Sequence, residues 1–284
     1  MMNVRRLLRE FDIQPKKSLG QNFLTDQRAL ERIVEAAELG PEDIVLEIGP
    51  GLGRLTRLLA AEAGWVVAVE LDQRLVEVLK QTATAKADFP NVEIIHGDIL
   101  EINPADLLER HMASLQYKVV ANLPYYITSA ILRHLLTAKV RPKLMVVTVQ
   151  LEVARRITAE PGDMSLLAVS VQFYGRPRIV ARIKASAFYP SPQVDSAVIR
   201  IDLDDRPVVE ADDTDSFFEV VRAGFAQRRK QLRNALAAGL ALPVSEVAQA
   251  LNRACVNPKR RAQTLSLEEW AKVWREMQTR FLSH

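Results

Sequence analysis

Cysteine is almost missing from this chain of 284 residues, and that scarcity, with others, narrows its class. The single cysteine, Cys255, excludes an internal disulfide and a cysteine-based metal cluster, and no metal centre is expected. The longest run without a polar residue covers only residues 235–244, far too short to cross a bilayer. The basic amino terminus, with Arg5, Arg6 and Arg9, has no apolar segment behind it and is no secretory signal. A cytoplasmic protein without a membrane partner is predicted.

The net charge of the chain is small, but its charged residues are unevenly distributed along the sequence. The formal net charge is only +3, yet residues 217–263 hold nine Lys or Arg against two acids. The preceding stretch, 202–215, holds seven acids and one base. A basic block of this kind favours a phosphate backbone as partner, although a solvated helix face is the ordinary alternative.

Apolar, β-branched segments alternate with helical patterns through the first half of the chain. Strands are predicted at 44–48, 66–69, 92–95, 117–121 and 144–149, with helical patterns between them. Regular alternation of this kind is typical of an α/β fold with a doubly wound parallel sheet.

The pattern changes beyond the fifth strand. Segments 179–185 and 196–203 read as two more strands and are expected to form an antiparallel edge pair. The acidic, proline-containing stretch 204–215 predicts a boundary between a domain of residues 1–203 and a small helical domain of residues 204–284. Helices of the second domain are expected at 217–240, 244–254 and 267–281.

Glycines and acids follow the first three predicted strands. Gly49, Gly51 and Gly53 form a turn between a strand and a helix, where glycine lets the backbone approach a ligand closely. Glu70 ends the second strand, 21 residues beyond Gly49, and an acid there can accept hydrogen bonds from ribose hydroxyls. Asp98, after the third strand, could meet the edge of a base.

The fourth strand delivers an Asn-Leu-Pro-Tyr turn. The Asn122 amide and the Leu123 carbonyl are two acceptors suited to an exocyclic amine, because Pro124 biases Leu123 away from the helical conformation. Tyr125 offers a face on which a planar ring can stack. Taken alone, the turn could also be an ordinary strand-to-helix connection with an aromatic anchor.

Two cofactor classes share a glycine turn followed by a strand-end acid. A dinucleotide site needs the spacing G-x-G-x-x-G, but here the third glycine comes one position early and Arg54 stands where the last should be. An S-adenosylmethionine site accounts for all four strand ends, with the transferable methyl beside Asn122. The sequence therefore favours a methyl donor over a nicotinamide cofactor.

These motifs, in this order, resemble those of the ribosomal RNA adenine N6-dimethyltransferases, nearest the small-subunit (16S) enzymes, over almost the whole chain. The matching segments are KSLGQNFL at 17–24, EIGPGLG at 47–53, VELD at 69–72, GD at 97–98, NLPY at 122–125, AFYPSPQVDSAV at 187–198 and FAQRRK at 225–230.

The resemblance implies dimethylation of adenosines, two adjacent ones, in 16S rRNA during ribosome maturation. It implies that the donor site comprises Gln21, Asn22, Phe23, Leu24, Gly49, Gly51, Glu70, Asp98 and Asn122. Asn122, Leu123 and Tyr125 would act on the target base, helped by Phe188, for which a core or loop-anchoring role is the alternative. The cations expected to grip RNA, some of which could be mere surface charges, are Arg228, Arg229, Lys230, Arg233, Lys259, Arg260 and Arg261.

The chain departs from the family pattern at two places outside the donor motifs. Leu151 replaces the usual lysine, and residues 164–168 replace a Tyr-Gly-x-Leu-Ser run. Three alternatives stay open: a large-subunit methylase of the erythromycin-resistance type, a ribosome-assembly factor with secondary catalysis, and a nicotinamide-dependent oxidoreductase. A monomer is expected.

Overall fold

The computed structural model describes residues 4–84, 90–108, 116–204, 207 and 214–278. The strands of this part of the chain are β1 (Phe23–Leu24), β2 (Ile44–Ile48), β3 (Trp65–Glu70), β4 (Val92–His96), β5 (Lys118–Asn122), β6 (Leu144–Gln150), β7 (Gly175–Ile183), β8 (Phe188–Tyr189) and β9 (Ser196–Leu203). Its α-helices are α1 (Val4–Glu10), α2 (Gln27–Ala37), α3 (Arg54–Glu62), α4 (Gln73–Leu79), α5 (Pro104–Leu108), α6 (Thr128–Leu136), α7 (Leu151–Ile157), α8 (Leu166–Gln172), α9 (Thr214–Phe225), α10 (Leu232–Gly239), α11 (Val244–Arg253) and α12 (Leu267–Met277). None of these helices is long and apolar enough to cross a membrane.

A seven-stranded sheet in the order β4-β3-β2-β5-β6-β9-β7 forms the centre of the fold. Strands β2 to β6 run parallel to one another, and β9 runs antiparallel to β6. Every residue of β2 is buried, which explains why four of its five residues are apolar and why apolar and polar positions do not alternate. The predicted doubly wound sheet with an antiparallel edge is confirmed.

A separate two-stranded ribbon joins distant parts of the chain. In it Phe23 pairs with Tyr189 and Leu24 pairs with Phe188, in antiparallel register. The ribbon was not predicted, because two-residue strands are too short to show an alternation of apolar and polar residues. It attaches the amino-terminal arm to the segment after β7.

Two cations hold the carboxyl-terminal end of α2. The Lys118 ammonium, almost fully buried, donates to the carbonyls of Ala37 (3.0 Å) and Glu38 (2.6 Å) and pairs with Asp43 at 2.8 Å. Arg200 donates to the carbonyl of Ala36 at 2.9 Å. Helix ends leave such carbonyls without intrahelical donors, and cations there also complement the helix dipole. The network explains why a buried lysine can begin a central strand.

The chain divides into two compact units. The first comprises Met1–Ala154 and Pro177–Leu203, and the second comprises Arg155–Arg176 and Asp204–His284. The structure therefore differs from the single boundary near residue 204, because residues 155–176 join the helical unit. Within that unit Gly162 and Gln263 exchange two 2.9 Å hydrogen bonds, and local sequence patterns carry no sign of such a pairing.

The helical unit contains α8 to α12 around the fully buried Trp270. The expected helix 217–240 is wrong, since α9 ends at Phe225 and α10 begins at Leu232. The break has a tertiary cause: the Leu232 backbone N–H donates to the Arg260 carbonyl at 2.7 Å instead of continuing a helix. Residues 226–230 of the connecting turn are consequently exposed.

Candidate active site at the carboxyl ends of the parallel strands

One cavity collects the polar groups that follow β2, β3, β4 and β5. Parallel strands present their carboxyl ends at the same edge of a sheet, and ligands of open α/β sheets bind there. Every residue predicted to hold the donor lines this cavity, as do Leu123 and Tyr125. The donor residues are Gln21, Asn22, Phe23, Leu24, Gly49, Gly51, Glu70, Asp98 and Asn122.

The glycine turn after β2 requires glycine at Gly51. Its φ is +61°, which L side chains rarely adopt, and an added Cβ would lie 3.1 Å from the Phe23 ring. The Gly51 backbone N–H donates to Glu70 Oε2 at 3.1 Å. The turn is thus packed under the amino-terminal arm and tied to the acid of the next strand.

Glu70 presents a braced carboxylate to the cavity. The side chain is buried, and its other oxygen accepts the backbone N–H of Asp72 at 3.0 Å. Burial raises the pKa of Glu70, while the N–H donors from Asp72 and Gly51 oppose that shift. Each oxygen keeps lone-pair capacity beyond its single N–H bond, so the group can still accept from a diol.

Glu47 is a cavity residue that the sequence reasoning missed. Glu47 belongs to β2, and its side chain is only 1% exposed. Its Oε2 has no hydrogen-bond partner among the described residues. Burial, together with the neighbouring Glu70 carboxylate, raises the pKa of Glu47 to about 8. The carboxyl is therefore largely protonated at neutral pH. An acid inside an otherwise apolar strand was the available signal.

Asp98 follows β4 with one oxygen engaged. Its Oδ1 accepts the Leu100 backbone N–H at 2.9 Å, which fixes the carboxylate at the cavity wall. The second oxygen makes no hydrogen bond with the described residues and can accept from a ligand amine. The neighbouring Ile99 is buried and Leu71 is 41% exposed, and both supply apolar surface at the same end of the cavity.

The amino-terminal arm covers the cavity and is held at Asp72. Gln21 Nε2 donates to Asp72 Oδ2 at 2.9 Å, and Lys16 Nζ lies 3.3 Å from Oδ1. The Arg74 guanidinium, which hydrogen-bonds to Asp72, holds the pKa of that carboxyl far below its usual value. Hydrogen bonds from Gln21 and Lys16 act in the same direction, and burial opposes them. Asp72 therefore stays ionised and links the arm to the loop that braces Glu70.

Asn122 ends β5 with its amide oriented by the arm. Its Nδ2 donates to the backbone carbonyl of Asn22 at 3.1 Å, and its Oδ1 has no partner among the described residues. Among the described residues, no backbone hydrogen bond outside the helices and strands has the Leu123 carbonyl as its acceptor. Two acceptors at consecutive positions thus remain available beside the donor cavity.

The Tyr125 ring is held at its far end. Its hydroxyl lies 2.6 Å from Oγ of the fully buried Ser196, and burial raises the Tyr125 pKa. Phe188 differs from the expectation: it does not line the cavity but packs in the core beside Leu24 and Val146. The residue is only 4% exposed, so the arrangement supports the core role that was its alternative.

The cations expected to grip RNA fall into two groups within the helical unit. Five are exposed, namely Arg228, Arg229, Lys230, Lys259 and Arg261. Arg260 instead binds Glu269 Oε2 at 2.9 Å and the Thr264 hydroxyl at 3.0 Å. Arg233 is half-buried, with its Nε shielded from solvent. Arg260 therefore serves the packing of the unit.

Both departures from the family pattern have local structural roles. Leu151 opens α7, and its backbone N–H donates to the Asp195 carbonyl at 2.9 Å. Ser165 is the N-cap of α8 and accepts the Ala168 backbone N–H at 3.2 Å. Neither residue lines the donor cavity.

Four features occur together at one edge of this parallel sheet: the glycine turn, a braced acid after β3, a second acid after β4 and an oriented amide after β5. Together they define the class of S-adenosylmethionine-dependent methyltransferases. The open lone pairs of Glu70 and Asp98 fit a ribose and an aminopurine edge, respectively.

Comparison with known proteins is consistent with this class. The family model for ribosomal RNA adenine dimethylase matches residues 13–279. The "Ribosomal RNA small subunit methyltransferase A" of Dehalococcoides mccartyi is 47% identical, with 95% of this chain and 91% of that protein covered. The protein of the same name from Moorella thermoacetica is 45% identical, with 96% of each covered.

Solved structures give the same result for the fold. The 23S rRNA methyltransferase ErmE matches with a TM-score of 0.72 and 30% identity, covering 90% of this chain and all of that one. A dimethyladenosine transferase from Plasmodium falciparum matches with a TM-score of 0.78 at 24% identity, covering 90% and 98%. This chain belongs to the ribosomal RNA adenine dimethylase family. It is an S-adenosylmethionine-dependent enzyme, and the oxidoreductase alternative is wrong.

Proposed function

We propose that this enzyme dimethylates the N6 amines of adenosines, two adjacent ones, in 16S rRNA of the small ribosomal subunit during ribosome maturation. We further place it in the cytoplasm as a monomer. The relatives at 45–47% identity carry the small-subunit name, whereas the structural neighbour named for 23S rRNA is 30% identical. The large-subunit alternative is therefore the weaker one.

The observation that carries the mechanism is the orientation of Asn122. The adenine amine is a poor nucleophile because its lone pair is delocalised into the ring. With Nδ2 held by the Asn22 carbonyl, Asn122 Oδ1 is an unpaired acceptor that an amine hydrogen can satisfy. The Leu123 carbonyl can take the second hydrogen. Both bonds would turn the lone pair out of the ring plane by positioning and electrostatics, without a strong base.

Methyl transfer would form a bond between N6 and the methyl carbon as the carbon–sulfur bond of the donor breaks, with S-adenosylhomocysteine as the leaving group. N6 would then carry a positive charge and a strongly acidic proton, which passes to solvent. Asn122 Oδ1 and the Leu123 carbonyl already accept hydrogen bonds at that nitrogen, so they stabilise the charge until the proton leaves. After a first methylation one N–H remains, and a single acceptor suffices to orient it. The same pair of acceptors thus serves both transfers.

Donor binding follows from the strand-end groups. S-adenosylmethionine supplies an electrophilic methyl when bound. Glu70 would accept from its ribose hydroxyls and Asp98 from its adenine amine. Gly49 and Gly51 let the backbone pass close to its methionine part, and Phe23 closes over the turn.

The target adenosine must leave its stack to reach this cavity. Flipping a base costs a few kcal/mol of lost stacking, which a new aromatic partner offsets in part. Tyr125 is that partner in our proposal, because its hydroxyl bond to Ser196 fixes the ring at the cavity edge. The exposed cations of the helical unit would bind RNA phosphates.

One experiment tests the proposal against its alternatives. The enzyme is incubated with labelled S-adenosylmethionine and separately with small and large subunits from cells that lack it, and modified bases are mapped by mass spectrometry. Dimethyladenosine in small-subunit RNA alone supports the proposal. Label in large-subunit RNA supports the large-subunit methylase. Tight binding without label supports an assembly factor.

A further inference from the structure

A second cavity lies on the first compact unit, which also contains the donor cavity and is called the catalytic unit below, and the two cavities share no lining residue. It is formed between the first half of α2 and the end of β7 with the turn that follows. Four cations line it: Arg28 and Arg32 from α2, Arg182 from β7 and Lys184 just after it. All four side chains are exposed. We call this the α2–β7 cleft.

The positive charge of the α2–β7 cleft is not neutralised within the protein. None of the four cations makes an ion pair or a side-chain hydrogen bond with any residue that the structure describes. Asp26 is the one acid among the described residues that line the cleft, and it caps α2, with its Oδ1 accepting the Ala29 backbone N–H at 2.9 Å. Elsewhere in this unit, cations such as Lys118 are paired with acids.

Arg28 and Arg32 stand at positions of α2 where their positive charges are unfavourable to the helix. Arg28 lies in the first turn of α2, where a positive charge opposes the helix dipole. Arg32 follows four residues later, and like charges at that spacing repel each other. Neither forms an ion pair with Glu31 or Glu35 on the same helix. An anionic ligand would relieve both unfavourable interactions.

The cleft adjoins the active site through the two-stranded ribbon. Thr25 donates its backbone N–H (2.7 Å) and its hydroxyl (2.8 Å) to the carbonyl of Ala187, a cleft residue. Leu24 lines the donor cavity, whereas Asp26, two residues later, lines the cleft. Two extended residues span about 7 Å. A phosphate in the cleft would therefore belong to a nucleotide near the one at the active site.

We propose that the α2–β7 cleft binds backbone phosphates of the RNA strand that carries the target adenosine. The inference rests on the proposed function and adds to it a contact on the catalytic unit, in addition to the cations of the helical unit. Arginine and lysine at four converging positions suit phosphate oxygens, and such contacts carry no base specificity. The cleft would hold the strand while the base is flipped towards Tyr125.

The test uses the full-length enzyme, with Arg32→Glu/Arg182→Glu as the variant. Lys139→Glu is the matched control, because Lys139 is an exposed cation before β6, at the opposite end of that strand from the residue paired with Asn122. Binding of rRNA extracted from small subunits is measured over a series of salt concentrations. Calorimetry gives the affinity for S-adenosylmethionine, and thermal melts report folding.

We expect the double variant to lose at least about tenfold in RNA affinity at low salt and to flatten the salt slope by about two. Donor affinity and melting temperature should stay at wild-type values, and Lys139→Glu should change little. If the variant fails to fold, Arg32→Gln/Arg182→Gln replaces it, with a loss of slope again expected. An unchanged salt slope in a folded variant overturns the cleft as a phosphate site.

Methylation of small subunits by the wild-type enzyme is assayed in parallel. If the wild type is active and the salt slope of the variant is unchanged, the cleft is refuted as a phosphate site and the proposed function stands. If the wild type is inactive but its RNA binding still depends on Arg32 and Arg182, the proposed function is refuted and the cleft stands as a phosphate site. RNA that fails to bind the wild type overturns both.

Discussion

The side-chain amide of Asn122 donates a 3.1 Å hydrogen bond to the backbone carbonyl of Asn22, which lies 100 positions earlier in the chain. This bond determines which atom of the amide is left to act on a substrate, because it uses the nitrogen and leaves Oδ1 unpaired. It also makes the catalytic amide depend on the arm that covers the donor, so a displaced arm would leave Asn122 free to rotate.

Asn122→Ala should lower the rate of methyl transfer by about 10²-fold or more, a loss typical of a positioning group in a closed site. Single-turnover assays on small-subunit RNA measure the rate, while calorimetry and thermal melts check donor binding and folding. Both of these should change much less than the rate. Wild-type turnover in the variant would end the amine-positioning mechanism.

Tyr125 can be separated into its ring and its hydroxyl. Tyr125→Phe should keep most of the single-turnover rate, and Tyr125→Ala should lose most of it, because only the former keeps a stacking face. Tyr125→Phe should also destabilise the fold by about 1–3 kcal/mol, since it leaves the buried Ser196 hydroxyl without that partner. Denaturant unfolding measures this cost.

The double variant Tyr125→Phe/Ser196→Ala is the matched control, because it removes both partners of the bond. It should recover part of the lost stability. Equal loss of activity in Tyr125→Phe and Tyr125→Ala would contradict the stacking role and require one for the hydroxyl.

Glu47 should make stability depend on pH. Its pKa is raised to about 8 in the folded protein, against 4.5 as the ordinary value. Between these values the unfolded chain has released a proton that the folded chain still holds, so this group's contribution to stability is full below pH 4.5 and declines as pH rises to about 8. The limiting slope is about 1.4 kcal/mol per pH unit.

The isosteric Glu47→Gln variant carries no titrating group and should lack this decline. Denaturant unfolding at several pH values, on wild type and variant, measures the difference between them. We expect the difference to grow in favour of the variant as pH rises through this window. Parallel profiles for the two proteins would show that Glu47 does not retain its proton.

The exposed basic turn of the helical unit should contribute to RNA affinity without contributing to the fold. Reversing the charges of Arg228, Arg229 and Lys230 should weaken RNA binding and flatten its salt slope, with donor binding and melting temperature unchanged. Arg260→Gln should do the opposite, lowering the melting temperature by a few degrees because Glu269 loses its partner. An unchanged salt slope in the first variant would assign the turn to the surface alone.

Local patterns in the sequence were enough to predict the strands, the parallel sheet and the four strand ends. Glu70, Asp98 and Asn122 each follow an apolar run, and the rule that parallel strands align their carboxyl ends brings them together without further information. The sequence also indicated that position 51 requires glycine, because the tight strand-to-helix turn there demands it.

Tertiary structure decided what those residues can do. Phe188 lies in the core because it pairs with Leu24, Arg260 is taken by Glu269, and the helix expected at 217–240 breaks where Leu232 bonds to Arg260. The Asn122 amide is oriented by Asn22, and the α2–β7 cleft joins residues more than 150 positions apart. Such contacts depend on which distant segments meet in space. A helical or strand period records only a residue's neighbours along the chain, so it carries no trace of them.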